Sequence, residues 1–144
     1  DPVRYVGDAC PREIRTLHVD IRNERPDLGA VGCVARLQCL GAYGKPMQPS
    51  PDRSLLKVSG LPGFSQTIWP CSHGAFDLLG ILVTTERHVF LNSALDVSNR
   101  QPIIDTPGQY DLRYEVFSQG FPSLNFQVRL NLTGKLATTT AAFI

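Results

Sequence analysis

Residues 124–132 alternate without a break. Leu124, Phe126, Val128, Leu130 and Leu132 are large and apolar, while Asn125, Gln127, Arg129 and Asn131 are polar. Successive side chains of a strand point to opposite faces, so this period of two predicts a strand with one buried and one wet face. The polar face ends in Asn131-Leu132-Thr133, an N-glycosylation acceptor. A second stretch repeats the pattern, with Tyr110, Leu112, Tyr114 and Val116 set against Asp111, Arg113, Glu115 and Phe117.

The rest of the chain is cut short by turn chemistry. Eleven prolines and twelve glycines among 144 residues leave no room for sustained helical periodicity. The best helical candidate, at 93–98, is too short to hold a helix. Strands are expected at 16–21, 31–40, 55–58, 65–69, 75–83, 88–95, 110–117 and 124–133, with a bulge at Gly80. About eight short strands describe an all-β, single-domain antiparallel β-sandwich of transthyretin-like or immunoglobulin-like type. Residues 1–14 read as an N-terminal extension, 15–136 as the sandwich domain, and 137–144 as a tail that forms an edge strand or a frayed end. Leu112, Tyr114, Val116, Phe126, Val128 and Leu130 are its expected core.

A formal net charge of +1 argues against a nucleic-acid footprint. No run of about 18 apolar residues is present, which argues against a membrane-spanning helix. The opening Asp1-Pro2-Val3-Arg4 reads as a mature N-terminus after secretion. Cys10, Cys33, Cys39 and Cys71 contain no CxxC pair, so disulfides are favoured over a zinc site. On one extended strand Cys33 and Cys39 would stand roughly 20 Å apart, and a disulfide needs its Cα atoms within about 7 Å. If the first two strands form a hairpin centred near Arg25, Cys10–Cys39 with Cys33–Cys71 is preferred. Cys10–Cys33 with Cys39–Cys71 is the alternative.

Catalytic patterns are thin. His73 precedes Asp77 by four and His88 follows Glu86, but no nucleophile elbow accompanies either. Asp105, Asp111 and Glu115 do not follow a calcium-loop pattern. Gly41-Ala42-Tyr43-Gly44-Lys45 lacks the second half of a phosphate loop. No enzyme, metal or cofactor is expected. The turns Gly60-Leu61-Pro62-Gly63-Phe64 and Gly120-Phe121-Pro122 place aromatics at strand ends, which makes Phe64 and Phe121 the candidate contact residues.

Two families are similar in places. Val31-Gly32-Cys33-Val34-Ala35-Arg36-Leu37-Gln38-Cys39 before Lys45-Pro46, Gly74-Ala75-Phe76-Asp77-Leu78-Leu79-Gly80, and the stretch 124–136 together resemble the nematode transthyretin-like family. Asp8-Ala9-Cys10-Pro11-Arg12-Glu13-Ile14, Gly108-Gln109-Tyr110-Asp111-Leu112-Arg113-Tyr114 and the spacing of Cys33 and Cys39 resemble the MD-2-related lipid-recognition family. The first resemblance implies a secreted binding protein, and the second an acyl chain or sterol held between two sheets. The expectation is therefore a secreted, glycosylated, non-catalytic module for a protein or cell-surface partner, with lipid binding as the alternative.

Overall fold

The computed structural model describes residues 2–5, 12–61, 63–91 and 101–144. Cys10, the 93–98 segment and the end of the strand expected at 88–95 lie outside these residues. Among the described residues, ten strands follow in chain order: β1 (Pro2–Tyr5), β2 (Arg12–Arg22), β3 (Ala30–Ala42), β4 (Gln48–Pro49), β5 (Gln66–Ile68), β6 (His73–Leu82), β7 (Val89–Phe90), β8 (Gly108–Gln119), β9 (Leu124–Leu132) and β10 (Thr140–Phe143). They make two antiparallel sheets, ordered β1-β2-β6-β7 and β10-β9-β8-β3-β4, with β5 also paired to β3. The protein is an all-β sandwich. The segment expected to be a strand at 55–58 contributes isolated bridging instead, through Val58 and Phe76.

The alternating stretches behave as their pattern dictates, except that Leu124, where β9 begins, is 47% exposed. Val128, Leu130 and Leu132 of β9 and Leu112, Tyr114 and Val116 of β8 are buried, with Val128 opposite Leu112 and Leu130 opposite Tyr110. Phe126 is only partly buried; it stacks on Tyr114 at 5.4 Å and meets Phe143 edge-on at 5.8 Å. Opposing these side chains are Val19, Phe76, Leu79 and Ile81 of the other sheet. Burying each such side chain in full is worth about 1.5–3 kcal/mol. Phe76, Leu78, Leu112 and Tyr114 are less than 2% exposed, so the middle of the sandwich is filled by side chains.

Two strands depart from simple alternation. In β3, Cys33, Ala35 and Leu37 are buried, but Val31 is 50% exposed and Cys39 is half-buried. The cause is a register shift between Val31 and Val34, where Gly32 takes a left-handed φ of 62°, and a second shift between Leu37 and Cys39. In β6 the irregularity falls at Leu78 rather than Gly80. Leu17 faces Leu79 and His18 faces Asp77, leaving Leu78 without a partner on β2. That extra residue changes the parity of β6, so Phe76, Leu79 and Ile81 all enter the core.

β2 and β3 lie in different sheets and do not form a hairpin. The geometry behind the Cys10–Cys39 pairing is therefore absent. Cys33, Cys39 and Cys71 are each free thiols, which corrects both pairings. Ala30 faces Ile68 and Cys33 faces Gln66, so the chain leaving β5 runs away from Cys33. Cys71 ends beside Arg25, where its N–H donates to the Arg25 carbonyl at 3.2 Å.

The 50–59 segment closes one side of the sandwich. Ser50 and Leu56 donate backbone hydrogen bonds to Gln38 and Ala35 of β3. Further on, Asp77 of β6 donates to Lys57, and Ser59 donates to Ala75. Leu56 and Val58 are buried between these contacts. No helix of the described residues is long and apolar enough to cross a membrane.

Candidate functional site

Three connections meet at one end of the sandwich: 23–29 after β2, 69–72 after β5, and 120–123 after β8. Asn23, only 4% exposed, ties the first two together. Its N–H donates to the Ser72 carbonyl at 2.8 Å. Its side-chain amide donates to the Leu28 carbonyl at 2.7 Å and the Ile68 carbonyl at 3.0 Å. Its side-chain oxygen accepts from the Arg25 N–H at 3.0 Å. An asparagine serves here because it offers two donors and an acceptor on a short side chain. The third connection turns at Gly120, whose φ of 81° is left-handed and costs other residues strain.

Between these connections lies an open cleft of about 360 Å³. That is within the range of small-ligand pockets, about 300–1,000 Å³. Its floor is Ala30, Cys33, Ile68 and Val116, all buried. Phe121 and Ile21 line it as half-buried walls, and Leu124 stands at its rim, 47% exposed. Leu28, Val31 and Trp69 are exposed on the same connections and their neighbouring strand. Arg22, Glu24 and Arg25 supply the charge. Arg25 is engaged by Asp27 through two contacts of 3.1 and 3.3 Å, which raise the guanidinium pKa and lower that of the carboxyl. Burial pushes the Cys33 thiol pKa up, so it is protonated and unreactive at neutral pH.

The cleft brings in Phe121 but not Phe64. Phe64 is 46% exposed on the separate turn before β5 and does not line it. Nothing in the sequence marks Ile68 or Leu124, both read only as strand residues, as part of a cleft; they belong to it because β5 ends there and β9 begins there.

The acid–base candidates are dispersed into structural contacts. His73 approaches Asp20, Nδ1 to Oδ1 at 3.8 Å, with both side chains exposed. The Asp77 carboxylate accepts from the Ser59 hydroxyl and faces the Lys57 ammonium at 3.7 Å. Glu86 accepts the Leu136 N–H at 2.9 Å. Asp111 is bridged by Arg129, Glu115 by Arg36, and Asp105 accepts from the Thr106 hydroxyl. Among the described residues, no group of three His, Cys, Asp or Glu side chains could hold a metal ion. Residues 41–45 form a strand end and turn. Asn131 is half-buried on the outer face of β9, between Gln109 and Thr140. The Thr133 hydroxyl donates to the Lys135 carbonyl at 2.9 Å.

No family model matches the chain, and no curated protein or solved structure matches it. The likenesses to the transthyretin-like and lipid-recognition families therefore rest on their short motifs alone.

Proposed function

We propose that the protein is a non-catalytic binding module that seats an apolar anchor of a protein or cell-surface partner in the end cleft. The observation that carries this reading is the convergence of Phe121, Ile21, Ile68 and Leu124 on one open, mostly apolar cleft. Exposed Leu28, Val31 and Trp69 extend the apolar surface around it. Interfaces draw their energy from a few desolvated anchors, aromatic ones above all, ringed by polar contacts. Phe121 and the charged rim of Arg22 and Glu24 fit that division. The Asp77, Asp111 and Glu115 carboxylates and the His73 ring are occupied in structural contacts, which leaves a binding role as the simplest use of the fold.

An extracellular setting is part of the proposal. It rests on the Asn131 acceptor sequence, since the described cysteines are free. Expression in a eukaryotic secretory host should add glycosidase-removable mass that an Asn131→Gln variant lacks.

A lipid between the sheets has less support, because Phe76, Leu78, Leu112 and Tyr114 occupy the middle of the sandwich. Photo-cross-linking tests the main reading. A benzophenone side chain at position 121 should capture a protein on cells, and the same group at position 64 should not. Native mass spectrometry of the purified chain separates the alternatives: a co-purifying acyl chain or sterol, with no protein captured from position 121, would replace the partner-binding reading with the lipid one.

A further inference from the structure

The edges of the two sheets are not equally protected. A bare edge strand presents unpaired N–H and C=O groups to any other strand, and proteins blunt such edges with proline, charge, brevity or cover. β4 is two residues long, contains Pro49, and lies between Pro46 and Pro51. β7 is also two residues long, and its Val89 is bonded on its free side by Ile103 and Ile104. β1 carries Pro2 and Arg4. β10 carries neither proline nor charge, and no described strand pairs with its free side. The stretch from Leu136 to Ile144 contains no lysine, arginine, aspartate, glutamate or proline. All four β10 residues are exposed, Phe143 by 65%.

The outward backbone groups can be assigned. Ile144 donates to the Gln127 carbonyl at 3.1 Å. Bonded and unbonded positions alternate along an antiparallel pair. Thr140 and Ala142 therefore share the orientation of Ile144, toward β9, while Ala141 and Phe143 turn their N–H and C=O groups away from it. Ala141 and Phe143 sit opposite buried Leu130 and Val128, so their side chains lie on the inner face; Thr140 and Ala142 lie on the outer.

We infer that β10 pairs with β10 of a second copy of this chain, joining two six-stranded sheets across a two-fold axis. An antiparallel strand is self-complementary about such an axis. Matching outward groups to outward groups, and inner face to inner face, within the four residues of β10 sets Ala141 opposite Phe143 of the second copy and Ala142 opposite its Ala142. The small side chain at the axis permits close approach, and no charge opposes pairing.

Charge on the outer face tests the pairing. In a Thr140→Glu/Ala142→Glu variant, the carboxylate introduced at position 142 would face its counterpart at position 142 of the second copy. Like charges directly opposite destabilise strand pairing. A Thr140→Lys/Ala142→Lys variant repels itself in the same way. Sedimentation velocity should show a dimer for the wild type over the micromolar range, monomers for each variant, and a dimer again when the two variants are mixed. Amide exchange of the wild type gives a second readout that needs no variant. Exchange at Ala141 and Phe143 should slow as concentration rises, while that of Ala142 stays unchanged. A monomeric wild type, a dimer that survives in either variant, or concentration-independent exchange at Ala141 and Phe143 would overturn the inference.

Discussion

The Tyr114 hydroxyl donates to the Leu78 carbonyl at 3.3 Å, from β8 of one sheet to β6 of the other. Leu78 is the residue that the β6 irregularity leaves without a partner on β2. The bulge that corrects the parity of β6 thus also places a carbonyl within reach of a fully buried phenol. A buried hydroxyl or carbonyl without a partner would cost free energy, and each group here satisfies the other.

Tyr114→Phe should lower stability by about 1–3 kcal/mol, because it leaves the Leu78 carbonyl buried and unbonded. Burial raises the Tyr114 pKa. In an unfolded chain a tyrosine titrates near 10. The stability linked to this group is therefore full below about pH 10 and is lost as pH rises from there through the folded-state pKa. Ultraviolet titration should show one tyrosine that ionises only as the protein unfolds, absent in Tyr114→Phe.

Val128→Asp should abolish folding, since an unpaired carboxylate would replace a side chain that is 2% exposed. Its neighbour Arg129 is less dispensable than its outward parity suggests. It bridges Asp111 at 2.8 Å and lies 4.3 Å over the Tyr43 ring. Arg129→Asp would set two carboxylates together, so Arg129→Gln is the better surface control. Its expected cost is small, because exposed ion pairs are screened by solvent. Equal melting temperatures for Val128→Asp and Arg129→Gln would reverse the face assignment of β9.

Asn23→Ala should cost about 1–3 kcal/mol, because the Ile68 carbonyl loses a buried donor. Heteronuclear spectra should show the change concentrated in residues 23–29 and 68–72. A uniform, small perturbation would mean that Asn23 does not hold these connections together.

The thiols should react in order of exposure. Cys71 is exposed, Cys39 half-buried and Cys33 buried. Among these three described thiols, a maleimide probe should label Cys71 first and Cys33 only on unfolding. Recovery of a Cys33–Cys71 peptide from the unreduced protein would contradict this arrangement.

Much of the sandwich is legible in the sequence where one face is wet and one is dry. β8 and β9 follow their alternation, because each has an outer face free for Arg113, Glu115, Gln127 and Arg129. β6 is not legible in that way. The 57–59 segment covers Asp77 on one side and the core takes Phe76 on the other, so residues 76–81 are all buried and periodicity vanishes. The hairpin expected near Arg25 fails for a different reason. Residues 23–29, anchored by Asn23, carry the chain from one sheet to the other, and a local pattern does not tell a turn from a crossing. The cleft is assembled from segments far apart in the chain, Ile21 on one side and Phe121 on the other. The sequence therefore points to Phe121 as an aromatic turn residue but does not separate it from Phe64.

The central claim is that the cleft around Phe121 carries binding. Its most direct measurement is the affinity of wild type, Leu124→Ser, Phe121→Ala and Phe64→Ala for the partner captured from position 121. Phe121 also packs on the core, so its truncation should lower the melting temperature somewhat. Leu124, 47% exposed at the rim, provides a variant with little structural cost. Loss of an anchor should weaken binding by roughly tenfold or more, about 1.4 kcal/mol, for both Phe121→Ala and Leu124→Ser. Phe64→Ala should bind as wild type does. Wild-type affinity in both cleft variants, or a larger loss in Phe64→Ala, would contradict the account.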